Sequence, residues 1–109
     1  MSGQPAGDPF DALGDPNRRA LIELLGASER SVKELAEALP ISRPAVSRHL
    51  RLLKRAGLVV EKPIGTRRIY QLHDQGVEFV QAYVERVWGE AAVRFRMLAA
   101  NTATKEPRR

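Results

Sequence analysis

The sequence predicts a mainly α-helical fold that carries one small β-hairpin. Helix-start signals at Ser31 and Ser42 predict two helices that are separated by a turn of only a few residues, which includes Pro40. After Gly57 the apolar positions change to the β-branched and aromatic pattern of strands. From Asp74 a helical period returns and continues over several turns. A helix pair with a short turn, followed directly by a basic hairpin, predicts a winged helix-turn-helix.

Composition limits the classes of function. A length of 109 residues suits one domain, and the absence of cysteine excludes disulfides and thiolate metal sites. No apolar run is long enough to cross a bilayer and the first residues lack a secretion signal, so we expect a cytoplasmic protein without a membrane partner. Because the chain has neither a phosphate-binding glycine loop nor a nucleophile with a plausible base, we expect no enzymatic activity.

The predicted domain spans residues 9–100. Residues 1–8 contain glycine, proline and small polar residues, and residues 101–109 are polar and basic. Such segments bury too little apolar surface to order themselves. We therefore expect both to be flexible tails.

The early helices are indicated by capping residues. Asp15 followed by Pro16 predicts a helix start, and the helix is expected to extend to about Leu25, where Gly26 would end it. A capping box, in which a serine and a glutamate three residues later cap each other's backbone, begins the next helix at Ser31. The following helix is expected over 43–56, with Ser42 as its cap and an early proline that the first turn tolerates.

The helix at 43–56 is the predicted DNA-recognition helix. Val46, Leu50 and Leu53 recur at helical spacing and predict a buried face. His49 lies beside this stripe, where we expect a packed, hydrogen-bonded histidine rather than a pH switch. The opposite face is predicted to carry Arg43, Ser47, Arg48, Arg51, Lys54 and Arg55.

Two strands, 58–62 and 66–72, are predicted to form the hairpin. We expect Val60 to lie opposite Tyr70, and the first residue of the first strand to lie near the last residue of the second. Basic residues at or near the tip favour a DNA-binding wing over an ordinary surface hairpin.

Positive charge is concentrated in one segment. Between Arg43 and Arg68 eight lysines and arginines stand against Glu61 alone, although the net charge of the whole chain is only +5. A local cationic field suits a polyanion, because each neutralised phosphate releases counterions. Double-stranded DNA is the predicted partner. The alternatives are a solvated basic face, or a winged-helix module that binds an acidic protein partner.

The predicted roles divide along the recognition helix. Arg43 and Arg48 can present forked donors to guanine, and Ser47 can reach a base edge or a phosphate. The cations farther along the helix are expected to contact phosphates. The hairpin tip is expected to contact the DNA backbone or an adjacent minor groove. Arg67 and Arg68 are neighbours on a strand and should face opposite sides, so one of the two should point inward or along the sheet; the sequence does not say which. The full predicted set is Ser42, Arg43, Pro44, Ser47, Arg48, Arg51, Lys54, Arg55, Thr66, Arg67 and Arg68.

The last helix carries more apolar surface than a short core can cover, which predicts a homodimer. The alternative is a monomer in which this helix folds back over the first helices. Tyr83 and Trp88 are expected in the dimer core rather than in a ligand-stacking site. The predicted interface is Phe10, Leu13, Val77, Val80, Tyr83, Val84, Val87, Trp88, Ala91, Phe95 and Leu98.

Four blocks in this order resemble the ArsR/SmtB family of bacterial winged-helix transcriptional regulators. The blocks are Ala12–Leu25, Ser31–Ala36, Ile41–Val59 and Gly65–Tyr70. The resemblance implies a symmetric dimer, built from the first and last helices, that represses transcription by occupying an operator.

The sequence departs from the metal-sensing members of that family. No cysteine precedes the recognition helix, and the last helix region offers His73, Asp74, Glu78 and Glu85 without a second histidine. We therefore expect no metal site and no cofactor. The sequence does not identify a small-molecule effector.

Overall fold

A computed structural model describes residues 7–105, with side chains described up to residue 100. The chain divides into two compact units, the first ending at Glu78 and the second beginning at Phe79. The first unit contains seven short elements and the first turn of the last helix. The elements are α1 (Pro9–Ala12), α2 (Pro16–Ala27), β1 (Arg30–Ser31), α3 (Val32–Ala38), α4 (Arg43–Arg55), β2 (Val59–Ile64), β3 (Arg67–Leu72) and α5 (Asp74–Lys105).

The capping residues act as the sequence predicted. The Asp15 carboxylate accepts a hydrogen bond from the backbone N–H three residues on at 3.1 Å, and the Ser42 hydroxyl does so at 3.2 Å. Ser31 and Glu34 form the complete capping box, with backbone-to-side-chain distances of 2.8 and 3.2 Å. These contacts fix the starts of α2, α3 and α4.

The helix ends differ from the prediction at three places. Two residues of the predicted N-terminal tail make contacts with the domain: Asp8 caps α1, and the Gly7 N–H donates to the Arg55 carbonyl at 3.2 Å. Asp8 precedes a proline, the same cap-proline pair that begins α2. Helix α2 continues past Gly26 to Ala27. Gly26 does not adopt the positive φ by which a glycine ends a helix.

Helix α5 extends beyond residue 100, where a flexible tail was predicted. It continues to Lys105, and residues 101–106 contain no glycine or proline that would end it earlier. The helical conformation is disfavoured for the residue before Pro107. Residues 1–6 and 106–109 of the predicted tails lie outside the described residues.

The core of the first unit lies beneath α4. Val46, Leu50 and Leu53 are fully buried, as predicted, and α4 contacts α2 and α3, whose Leu21 and Leu35 are also fully buried. The apolar stripe of α4 is therefore its anchor, and its other faces remain available for contacts outside the core.

The sheet has three antiparallel strands in the order β1-β3-β2, rather than the two that the sequence predicted. Strand β1 pairs Arg30 with Tyr70 and Ser31 with Ile69. At two residues it is too short to show alternation, and its second residue is also the α3 cap.

The predicted register of the hairpin is wrong by one residue. Val60 lies opposite Gln71, and Tyr70 lies opposite Glu61. The prediction placed a longer loop at the tip. In the structure the strands pair as far as Ile64 and Arg67, and a two-residue turn that begins at Gly65 joins them. Gly65 has a φ of 62°. Directly opposed residues lie on the same face of a sheet, so Glu61 and Tyr70 share a face. The one-residue shift in register therefore puts Glu61, and not Val60, on the face of Tyr70.

The joint between α4 and β2 is a close backbone contact. Gly57 has a φ of 80° and ends α4, as predicted. Gly76, in the first turn of α5, packs so closely that a Cβ there would lie 2.1 Å from the Gly57 carbonyl oxygen. The His73 N–H also donates to the Leu58 carbonyl at 2.9 Å. These contacts fix the start of α5 against the end of α4.

Candidate nucleic-acid interface

The outer face of α4 is cationic and exposed. Ser42 caps the helix and Pro44 lies in its first turn, so the start of α4 is well defined. Arg43, Arg48 and Arg51 are exposed. Among residues 7–100, none of these three arginines has a carboxylate oxygen within 4.0 Å. Their donors are therefore available to an external acceptor.

We call the β2–β3 hairpin the wing. An open groove of about 900 Å³ lies between α3, the start of α4 and the tip of the wing. It brings together six of the predicted DNA-binding residues, which come from two separate parts of the sequence. They are Arg43, Pro44, Ser47, Thr66, Arg67 and Arg68. The groove also contains three charged residues of α3 that are not in the predicted set: Lys33, Glu34 and Glu37.

The remaining predicted residues of α4 lie outside this groove. Arg48 and Arg51 are exposed farther along the helix, and Lys54 is in its last turn. Arg55 lines a separate cavity of about 200 Å³ beside α1, together with Asp8 and Asp11. Carboxylates near this cavity make Arg55 a weaker candidate for phosphate contact than Arg51.

Arg67 and Arg68 alternate along β3, but neither points inward, as was expected of one of them: both are exposed. The Arg67 guanidinium lies 3.7 Å from the Glu34 carboxylate of α3. Arg68 contacts Glu61 of β2. On the α3 side, Lys62 also pairs with Glu29 at 3.2 Å. Each wing cation therefore has an acidic neighbour.

Glu61 joins the wing to α4. Its Oε1 atom accepts from the Lys54 ammonium at 3.0 Å, and its Oε2 atom accepts from Arg68. Hydrogen bonds from Arg68, and then from Lys54, hold the pKa of Glu61 below its usual value. The same contact raises the pKa of Arg68. In the sequence Glu61 is only one negative charge within a basic segment, because the lysine and arginine that bind it lie seven residues away on either side.

Glu34 is held by its own capping box. The backbone N–H of Ser31 is the main cause that lowers its pKa, and the charge of Arg67 adds to the effect. The carboxylate that caps α3 thus also faces Arg67 of the wing. A capping box is visible in a sequence, but a second contact from a distant strand is not.

His49 is packed and hydrogen-bonded, as expected. Its Nδ1 atom is 3.3 Å from the Arg18 guanidinium, and its Nε2 atom is 4.0 Å from the Asp15 carboxylate. Asp15 caps α2, and the backbone hydrogen bond from Arg18 is the largest cause that lowers its pKa. These contacts attach the middle of α4 to the start of α2.

The second unit consists of the remainder of α5, and much of its apolar surface is exposed. Trp88 and Phe95 are 61% and 72% exposed, and Val84 is 45% exposed. Tyr83 is half-buried, with the Arg86 guanidinium 5.4 Å from its ring centre. Phe79, Val93 and Met97 are further exposed apolar residues outside the predicted seam. The seven-residue repeat alone did not select them.

In the part of the chain that the structure describes, no group of three or more histidine, aspartate or glutamate side chains could hold a metal ion. Over the same residues, no helix is long and apolar enough to span a membrane.

The helix pair, the wing and the cationic face of α4 define a winged helix-turn-helix DNA-binding protein. A family model described as a helix-turn-helix domain matches residues 13–62. The HTH-type transcriptional regulator Rv2034 of Mycobacterium tuberculosis is 45% identical over 82% of this chain and 83% of its own length. The transcriptional repressor SmtB of the same species is 36% identical over 81% of this chain and 65% of its own length.

Solved structures of related transcriptional regulators have the same fold. A possible transcriptional regulator for arsenical resistance superposes with a TM-score of 0.69 at 40% identity, over 74% of this chain and 84% of that one. A homodimeric winged helix-turn-helix DNA-binding domain from Mycobacterium bovis superposes with a TM-score of 0.63 at 32% identity, over 75% of this chain and 76% of that one. The chain belongs to the ArsR/SmtB family of transcriptional regulators. It is a DNA-binding regulator and not an enzyme.

Proposed function

We propose that this protein is a homodimeric repressor that binds a two-fold symmetric DNA operator. The observation that carries the proposal is the outer face of α4, where Arg43, Arg48 and Arg51 are exposed without a neighbouring carboxylate among residues 7–100. In a helix-turn-helix protein the start of the second helix enters the major groove. We therefore assign Arg43, Ser47 and Arg48 to base edges and Arg51 to phosphate.

The apolar side chains of α5 support a dimer. Val84, Val87 and Trp88 are large and exposed in the single chain, which is unusual unless a partner covers them. The related domain from Mycobacterium bovis is described as homodimeric. A two-fold dimer presents two recognition helices to half-sites about one helical turn apart.

Repression and location are parts of the same proposal. The related SmtB protein is named as a transcriptional repressor. A dimer that occupies a promoter excludes the transcription machinery without any enzymatic step. The protein would act on the chromosome, in keeping with the cytoplasmic location that the sequence favours. Family membership favours DNA over the acidic-protein partner that the sequence left open.

Selection from a random DNA library tests this function directly. We expect enrichment of a two-fold symmetric sequence, whose affinity over random duplex exceeds about 10³-fold. Affinity for both should fall steeply with salt. The proposal fails if the selected sequences bind no more tightly than random duplex at any salt concentration.

A matched pair of variants tests the dimer seam. Val84 and Val93 are 45% and 47% exposed, and nine residues place them on opposite sides of α5. Val84→Glu should yield a monomer in sedimentation, because it places a charge in the proposed seam. Val93→Glu should remain dimeric. A monomeric wild-type protein, or equal disruption by both variants, would contradict the seam.

A further inference from the structure

One carboxylate contacts both regions of the proposed DNA-binding surface. Glu61 lies on β2, and its two oxygens bind Lys54 in the last turn of α4 and Arg68 on β3. The recognition helix and the wing are thereby connected through a single side chain. Both cations belong to the predicted DNA-binding set, whereas the carboxylate does not.

Burial differs sharply within this cluster. The Glu61 side chain is only 11% exposed, but Lys54 and Arg68 are 54% and 71% exposed. Tyr70 lies directly opposite Glu61 in the sheet and shares its face. The two cations therefore cover the carboxylate and keep their outer sides in solvent. An exposed ion pair is weak, but a carboxylate that is shielded by two cations is a better-defined contact.

The cations retain hydrogen-bonding capacity. An ammonium has three donors and a guanidinium has five, and each uses only part of that set on Glu61. The remaining donors can bind phosphate oxygens. At the same time the carboxylate offsets one of the two positive charges, and its lowered pKa keeps it ionised at neutral pH. The cluster carries a net charge of about +1 with two positioned cations.

We propose that Glu61 is a positioning residue that joins Lys54 and Arg68 into one phosphate contact and thereby raises the selectivity of DNA binding. Because Glu61 holds Lys54 and Arg68 together, the two cations can contact the DNA phosphates only when α4 and the wing are both correctly aligned with the DNA. Two independent cations would instead contact phosphates wherever they met them. Glu61 thus lowers the affinity for arbitrary DNA more than the affinity for the correct site. This inference rests on the proposed operator-binding function.

The test compares Glu61→Gln with Glu29→Gln in the full-length protein. Both variants remove one negative charge beside a wing cation, but Glu29 makes an exposed pair with Lys62 alone. Binding is measured on a random duplex and on a selected operator over a range of salt. Glu61→Gln should bind random duplex at least about threefold more tightly than wild type, with a salt slope steeper by about 0.9 because one more phosphate is neutralised. Its operator affinity should change less, and Glu29→Gln should leave selectivity near the wild-type value.

Equal effects of the two variants on random duplex would overturn the proposal, because Glu61 would then act only as surface charge. Weaker binding of Glu61→Gln to random duplex would overturn it as well. If the wild-type protein shows no operator preference, the operator-binding function fails, but the random-duplex measurements still report on the link between Glu61 and its cations.

A double-mutant cycle keeps the proposal testable if Glu61→Gln does not fold. Lys54→Ala and Arg68→Ala are measured singly and together on random duplex. With Glu61 present, the combined loss of affinity should differ from the product of the single losses by about twofold or more. In the Glu61→Gln background, if folded, the losses should multiply. Simple multiplication with Glu61 present would show that the two cations act independently.

Discussion

Three exposed arginines of α4 and the cations of the wing differ in their neighbours. Arg43, Arg48 and Arg51 have no carboxylate within 4.0 Å among residues 7–100. On the wing, Lys62 and Arg67 pair with Glu29 and Glu34, which precede α4 in the chain, and Arg68 pairs with Glu61. The charge excess of the segment from Arg43 to Arg68 therefore overstates the attraction of the wing for DNA. These three arginines of α4 are available for recognition, whereas the wing cations are already held in defined positions.

The largest effect is expected at the joint between these two regions. Gly76→Ala would place a methyl group against the Gly57 carbonyl, so α4, β2 or α5 must shift. We expect a loss of about 3 kcal/mol in the free energy of unfolding, measured by urea denaturation. Gly89→Ala is the control, because among the described residues its added methyl group meets no atom within 4 Å apart from the adjoining backbone of its own helix, and alanine favours helix. Unfolding of Gly76→Ala at the wild-type urea concentration would show that the joint tolerates a side chain.

The next effect concerns base recognition by α4. Arg48→Ala should reduce operator affinity by roughly 1–3 kcal/mol while leaving random-duplex affinity much less changed. The operator selected by this variant should lose its preference at one base pair in each half-site. Equal losses on operator and random duplex would assign Arg48 to phosphate contact instead.

A smaller effect should distinguish unpaired from paired cations. Arg51→Ala and Arg67→Ala remove the same charge, but Arg67 lies beside Glu34 and Arg51 has no such neighbour among residues 7–100. Arg51→Ala should reduce the salt slope on random duplex by about 0.9. Arg67→Ala should reduce it less, because binding of Arg67 to phosphate competes with Glu34. A larger reduction for Arg67→Ala would reverse the comparison between α4 and the wing.

The smallest effect is the pH dependence of stability. Because the folded-state pKa of Glu61 is lowered, its contribution is present above its unfolded value, near 4.5, and is lost as the pH falls through the folded value. The melting temperature of the wild type should therefore fall more on acidification below about pH 4.5 than that of Glu61→Gln. Asp15 and Glu34 have lowered pKa values in both proteins and supply a common background. Parallel pH profiles would show that Glu61 adds no pH-dependent stability.

Local sequence signals predicted much of the helical part of this protein. Asp15, Ser31 and Ser42 cap helices through contacts with groups three residues away, so each start is encoded within one turn. The buried stripe of Val46, Leu50 and Leu53 follows from helical periodicity. The predicted α4 differs from the structure by one residue at its end.

The pairing of distant segments was decided only by the tertiary structure. Strand β1 exists because Arg30 and Ser31 meet β3, and the hairpin register follows from the turn at Gly65. The tip is exposed, so its apolar pattern does not specify which residues pair.

The sequence by itself therefore determined the order of the elements, the anchored face of α4 and the excess of cations around it. Only the tertiary structure decided which cations remain unpaired, because Glu29 and Glu34 reach the wing through space. Caps and stripes depend on residues a few positions apart, whose geometry the helix fixes. Ion pairs between elements depend on how the elements pack, which side-chain spacing along the chain does not encode.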